Sequence, residues 1–261
     1  MVVNFFSTLG LFYINKMPNK KIALITGVSR EMGLGFETAK QLAQKKYRVI
    51  ITARDYYKVK ELADRLLAEG LDVLPFALDI LSDDSVENLV SKIETNFGKL
   101  HVLVNNAGGF YDAGANALDT SLAFAHEVFE TNLFGAWRMI KSFTPLLEKS
   151  GEGVVVNITS GAGTYSDPDF GLISKSDTPL YGITKLALNA LTVKLAPILK
   201  TKGILINAVN PGFAATYPGY AEWGARPVAQ GAKGIVWAAI LPKDGPTGSF
   251  FMDGKNIGWQ L

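Results

Sequence analysis

After position 20 the chain alternates short apolar runs with amphipathic stretches almost to its end. Ile22-Ala23-Leu24-Ile25-Thr26 is a compact apolar run that stops at a glycine-rich turn. Residues 36–46 then place Phe36, Ala39 and Ala43 at helical spacing, which predicts an amphipathic helix. The pairing repeats: Val49-Ile50-Ile51 comes before a helical pattern over 59–67, and an apolar run over 73–78 before one over 86–97. Val102-Leu103-Val104 precedes one long helical region over 125–147, and Val154-Val155-Val156 precedes another over 180–199. Ile204-Leu205-Ile206 reads as a sixth strand and Ser249-Phe250-Phe251 as a seventh.

Continuous β-branched runs, as opposed to alternating ones, belong to strands covered on both faces. Interleaved with helices, they predict an α/β protein with a doubly wound parallel sheet of about seven strands and helices on both faces. No Pro-, Gly- or Ser-rich linker and no repeat divides the pattern, so residues 17–261 read as one domain. A chain of 261 residues is long enough to bury roughly 70–75% of the surface its unfolded form exposes. Ligands of such sheets bind beyond the carboxyl ends of the strands. Residues that follow strands are therefore the functional candidates.

Composition narrows the classes. Twenty-six basic against 24 acidic residues leave a formal charge of +2, which gives no electrostatic case for binding nucleic acid. The absence of cysteine excludes disulfides, thiolate metal sites and a cysteine nucleophile, and fits a cytoplasmic protein. His101 and His126 do not stand at a metal-ligand spacing, so both read as structural and no metal site is expected. Residues 1–16 are apolar, with Phe5, Phe6, Leu9, Leu11, Phe12 and Tyr13. They are too short for a membrane span of about 18 residues and lack the marks of a signal peptide. Met17 opens a second start, so residues 1–16 read as an upstream extension with no membrane role expected; an apolar anchor at a membrane surface is the alternative.

Two motifs carry chemistry. Thr26-Gly27-Val28-Ser29-Arg30-Glu31-Met32-Gly33-Leu34-Gly35 joins the first strand to the first helix. Glycines there let the backbone approach a pyrophosphate, and a helix N-terminus offers it unpaired N–H groups. Tyr181-Gly182-Ile183-Thr184-Lys185 opens a helix, and residues four apart share a helical face. A phenol with a pKa near 10 is a poor acid–base group at neutral pH, but a neighbouring cation favours its ionised form. Tyr-x-x-x-Lys is common by chance; its value comes from Ser160, which ends the strand at 154–159, and from Asn132.

In this order the motifs resemble the short-chain dehydrogenase/reductase family from Ile22 to Thr216, and within it the carbonyl-reductase-type members. The family's Thr-Gly-x-x-x-Gly-x-Gly turn is met at Gly27 and Gly33, with Glu31 at the middle glycine position. That carboxylate is expected to face solvent or pair with Arg30. Asn105-Asn106-Ala107-Gly108, Asn132-Leu133-Phe134-Gly135 and Asn210-Pro211-Gly212 match further signatures. In Asn157-Ile158-Thr159-Ser160, Thr159 replaces the first serine of the family's pair.

The resemblance implies a Rossmann-type fold and reduction of an aldehyde or ketone to an alcohol by hydride transfer. Its implied catalytic group is Asn132, Ser160, Tyr181 and Lys185. Tyr181 gives the proton, Lys185 tunes it, Ser160 donates to the substrate oxygen and Asn132 links the lysine to a water chain. The implied cofactor contacts in the turn are Gly27, Ser29, Arg30, Met32 and Gly33. Asp79 would meet the adenine, and Asn106, Ala107, Gly108, Pro211 and Gly212 line the path toward Thr216 at the carboxamide. Tyr181 and Lys185 would also touch the cofactor.

Thr52-Ala53-Arg54-Asp55 ends the second strand with alanine at the usual acidic position and an arginine after it. With Arg30 as a second cation, NADPH (NADP+) is favoured over NADH, since a guanidinium fork suits a 2′-phosphate. The alternative is that Asp55 serves NAD while Arg54 is a solvated residue.

Phe110, Tyr111, Tyr165, Phe213, Tyr217 and Trp223 follow strands and are candidate walls for an apolar carbonyl, or else pack loops. Ser160 and Tyr181 are 21 positions apart, so residues 161–179 are expected to form a loop beside the substrate. The family suggests a homodimer or homotetramer. Rival readings are an NAD-linked alcohol dehydrogenase and an NADPH-binding sensor without turnover. A sensor has no need of all four catalytic side chains.

Overall fold

The computed structural model describes residues 20–109, 112–175 and 177–259. Within them, strands β1 (Ile22–Ile25), β2 (Arg48–Ala53), β3 (Val73–Ala77), β4 (Val102–Asn105), β5 (Gly153–Ile158), β6 (Ile204–Val209), β7 (Phe250–Met252) and β8 (Lys255–Asn256) form one sheet. The order is β3-β2-β1-β4-β5-β6-β7-β8, parallel except for the final hairpin pair. The doubly wound sheet is as expected, with one strand more than the seven anticipated. That strand is a two-residue edge, too short to leave a hydrophobic signature.

Helices α1 (Leu34–Gln44), α2 (Tyr56–Ala68), α3 (Asp83–Phe97), α4 (Leu122–Phe129), α5 (Gly135–Ser150), α6 (Pro179–Lys200) and α7 (Val228–Ala239) cover both faces. Alternate strand residues serve opposite layers, as the period of two requires. Ala23, Ile25, Ile51, Val104 and Val156 pack with α1, α2 and α7. Leu24, Ile50, Leu103, Val155 and Ile206 pack with α3, α5 and α6. Fully buried side chains of this size each contribute roughly 1.5–3 kcal/mol over exposure, so the two layers dominate the stability.

The region read as one helix over 125–147 is instead α4 and α5 joined by a π-helical turn, Glu130–Phe134. An extra residue per turn is what such bulges insert, commonly at functional sites, and Asn132 sits inside this one. Helix α7 escapes the periodicity because Gly231, Ala232 and Gly234 pack where large apolar residues would mark a stripe. A Cβ at Gly231 would lie 3.0 Å from the Pro211 carbonyl oxygen and 3.1 Å from Leu34, so small residues bring α7 close to α1. Helix α6 is the only described helix long and apolar enough to cross a membrane, yet half of that window is buried within the molecule. Residues 1–16, Met17, Phe110 and Tyr111 lie outside the described residues.

Candidate active site

β1 pairs with both β2 and β4, so the winding direction switches between β1 and β4. At the carboxyl ends of β1, β4, β5 and β6 a cleft of about 1070 Å³ opens. This is where the switch-point rule places a ligand.

The glycine-rich turn is clamped from β4. Thr26 Oγ1 accepts the amides of Asn106 (3.1 Å) and Ala107 (2.9 Å), while Asn106 Nδ2 donates to the carbonyls of Thr26 (2.7 Å) and Gly27 (3.1 Å). Gly27 has φ +70°, and a Cβ there would lie 2.5 Å from Ala107 Cα. Only glycine meets both demands. A Cβ on Gly35 would likewise lie 2.5 Å from Asn106 Nδ2. Asn106 and Ala107 thus build the turn; the Asn106 amide is spent on it, and Ala107 lies beneath Gly27 and outside the cleft lining.

Helix α1 begins after Gly33 with no side-chain cap, and Leu34, Gly35 and Phe36 line the cleft. Uncapped first-turn amides facing a cleft fit a phosphate group. Gly27, Ser29, Arg30 and Gly33 line it too, and the Arg30 guanidinium lies over the Tyr217 ring, 3.9 Å from its centroid. Glu31 turns out of the cleft and pairs with Arg65 of α2 instead of Arg30. The expected solvent-facing orientation is right and the partner is corrected: Arg30 is drawn to the aromatic ring on the other side.

Asp55 accepts the amides of Tyr57 (3.0 Å) and Lys58 (3.2 Å) as the cap of α2. Both bonds end on Oδ1, so Asp55 caps the first turn of α2. Arg54 and Met32 are exposed and stand outside the cleft lining. Asp79 also lies outside it; its Oδ1 accepts from Leu81 N at 3.0 Å.

Ser160, Tyr181 and Lys185 all reach the cleft. Two close approaches between the segment after β5 and α6 make this meeting geometrically natural. A Cβ on Gly163 would lie 2.6 Å from the Lys185 carbonyl carbon, and one on Gly182 would lie 3.0 Å from Ala162 O. Ser160 precedes the short 3₁₀ turn Gly161–Gly163, and its Oγ accepts from Ala162 N at 3.2 Å. A hydroxyl that accepts there still has its own hydrogen to donate into the cleft.

Lys185 is buried, with Nζ 5.6 Å from the Tyr181 ring centroid and donating to Ile158 O at 3.0 Å. Burial pushes its ammonium pKa down to about 8. Asn132 lies behind the lining: Oδ1 accepts from Gly109 N (2.9 Å), and Nδ2 donates to Gly109 O (3.0 Å) and Thr184 Oγ1 (3.1 Å). Asn132 Oδ1 and Lys185 Nζ flank Gly108, 3.4 and 3.5 Å from where its Cβ would be. Asn106, Gly108, Pro211, Gly212 and Thr216 complete the predicted lining residues that the cleft gathers.

The far wall is aromatic. Phe170 meets Phe213 (centroids 6.1 Å apart), Phe213 meets Tyr220 (5.4 Å), and Tyr220 meets Tyr217 (5.3 Å) and Trp223 (5.5 Å). Phe213, Tyr217 and Trp223 were expected here, whereas Tyr165 is outside the lining. Phe170 and Tyr220 were missed, although the loop over 161–179 does deliver Asp167, Pro168, Asp169, Phe170 and Lys175 to the cleft. The segment carrying Phe213 to Trp223 is clasped at its base by Arg226 N to Phe213 O (2.8 Å) and Ala215 N to Arg226 O (2.9 Å).

Sheet order, switch-point cleft and the gathered hydroxyl, phenol and ammonium define an oxidoreductase of the Rossmann class. The chain belongs to the short chain dehydrogenase family, whose model matches residues 21–220. It is 29% identical to (+)-neomenthol dehydrogenase of Capsicum annuum, over 90% of this chain and 96% of that one. It is 34% identical to short-chain dehydrogenase anuI of Penicillium roqueforti, over 84% of this chain and 88% of that one. The solved structure of ElxO with NADP bound superposes with a TM-score of 0.78 at 29% identity, over 90% of this chain and 98% of that one.

Proposed function

We propose that this protein is an NADP-dependent carbonyl reductase that converts an apolar aldehyde or ketone to its alcohol, with Tyr181 as the proton donor. The observation that carries the reading is the convergence of Ser160, Tyr181 and Lys185 on one cleft whose far wall is aromatic. Gly27, Ser29, Gly33 and the open start of α1 would hold the pyrophosphate, and Arg30 the 2′-phosphate. A reduced nicotinamide, if bound there, would supply the hydride. Arg30 and the NADP held by ElxO support the phosphorylated cofactor over NADH.

The carbonyl oxygen lies between Ser160 Oγ and the Tyr181 hydroxyl. Hydride addition forms a C–H bond at the carbonyl carbon and places negative charge on oxygen. The Ser160 O–H stabilises that charge as it develops, and the Tyr181 O–H transfers its proton to the oxygen. The resulting phenolate is steadied by the Lys185 ammonium, which is mostly charged below pH about 8. Asn132 holds the Gly108–Gly109 backbone beside that ammonium.

The test is NADPH consumption with a panel of aldehydes, ketones and diketones, repeated with NADH. Turnover on apolar carbonyls with NADPH and its loss in Tyr181→Phe are expected. Tight NADPH binding with no turnover on any carbonyl would point to a sensor, and full activity in Tyr181→Phe would remove the phenol from its role.

A further inference from the structure

Helix α6 starts without the usual local cap. Thr178 precedes it and contributes no side-chain hydrogen bond, and Pro179 has no N–H. The next two amides, those of Leu180 and Tyr181, donate to Oδ2 (2.9 Å) and Oδ1 (3.1 Å) of Asp112, from a segment 68 and 69 residues earlier in the chain. A second tie, Ala115 N to Asp177 O at 3.2 Å, fastens the same two segments. Asp112 follows β4 by a few residues, and Gly109 on that path is held by Asn132.

We propose that Asp112 is a positioning residue for Tyr181: its carboxylate caps the first turn of α6 and fixes the phenol-bearing turn against the β4 loop. This rests on the reading of Tyr181 as proton donor. First-turn amides lack intrahelical partners and fray when uncapped. A carboxylate there is also favoured by the helix dipole. Tyr181 is the third residue of the helix, so fraying moves the phenol itself, while Lys185, a turn further on, stays anchored by Ile158 O. Proton transfer is sensitive to such displacement, and a shift of about 1 Å costs on the order of a hundredfold in rate. Asp112 itself lies outside the cleft lining. Its loss should therefore reach kcat and spare the cofactor.

The experiment compares the full chain with Asp112→Ala, Asp112→Asn and Tyr181→Phe, using NADPH and the best carbonyl of the panel. Losing a cap of this kind should lower kcat of Asp112→Ala about tenfold with the KM for NADPH unchanged. Asp112→Asn keeps one acceptor oxygen and should recover about half of that loss on a logarithmic scale, to about threefold below the native kcat. Should Asp112→Ala fail to fold, Asp112→Asn, with one of two acceptors gone, should still show about a threefold lower kcat at unchanged NADPH KM. An unaltered kcat in a folded variant overturns the proposal. So does a loss in which kcat and NADPH affinity fall together and Asn restores neither, the signature of a merely structural staple. Turnover retained in Tyr181→Phe would sink the functional reading and leave the cap geometry a separate matter; an inactive Tyr181→Phe beside a fully active Asp112→Ala sinks the cap alone.

Discussion

The Arg30 guanidinium lies over the Tyr217 ring, 3.9 Å from its centroid. This contact joins the turn proposed to read the cofactor's phosphate to the aromatic wall proposed to read the substrate, through Tyr220 and Phe213. An arginine held this way has fewer rotamers to give up when a phosphate arrives, and the ring face contributes roughly 0.5–2 kcal/mol to its placement.

Tyr217→Leu should therefore raise the KM for NADPH by about three- to tenfold while leaving that for NADH nearly unchanged. Steady-state kinetics with both cofactors checks it. Equal increases for the two would mean that the ring supports the shared dinucleotide and not the arginine.

Lys185 gives a pH signature of known sign. Burial lowers its folded pKa to about 8, whereas an unfolded lysine titrates near 10.4. Below about 8 both states hold the proton and the cost of burying the charge is present in full. Between about 8 and 10.4 the unfolded chain binds more protons, so the stability of the ligand-free protein should rise with pH. The full span is on the order of 3 kcal/mol. Urea denaturation at about pH 7.5 and 9.5 should show this rise, and Lys185→Met should remove it. In the same enzyme kcat/KM for carbonyl reduction should fall above about pH 8, because a neutral amine no longer steadies the phenolate. A flat profile through that range would show that Lys185 keeps its charge.

Most of this architecture was legible because it is local. β-Branched runs mark buried strands, and Tyr181 and Lys185 share a face through their spacing alone. What escaped depends on packing between distant segments. The π-helical turn around Asn132 leaves no trace in a hydrophobic pattern that continues across it. Gly231 looks like a helix breaker until Leu34 of α1 is seen packed against it, and Gly234 until Asp253 and Val209 are. Asp112 is one aspartate among several, and its role appears only when α6 lies beside it. Glu31 was conspicuous as a departure from the glycine pattern, but its partner Arg65 is a helix away. For Gly163 and Gly182 a signal did exist: small residues recur in Gly161-Ala162-Gly163 opposite Gly182, as a close approach of two backbones demands.

His101 holds the opposite end of the strand pair that carries the cleft. Its Nδ1 accepts the Ile22 amide at 2.9 Å, and its own amide donates to Ile22 O at 3.0 Å. An accepting Nδ1 carries no hydrogen, so this buried imidazole is neutral. Burial is the main cause of its lowered pKa, with the Lys99 charge adding to it. In the unfolded chain the imidazole takes up a proton as pH falls through about 6.5; in the folded protein it does so only at lower pH. Stability is therefore complete above about 6.5 and declines as pH falls from there toward the depressed folded value. His101→Asn presents an oxygen where Nδ1 stood and cannot titrate. Denaturant midpoints at about pH 7 and 5.5 should drop for the native chain and drop less for this variant. Equal declines would assign the acid sensitivity to other groups and leave His101 as packing alone.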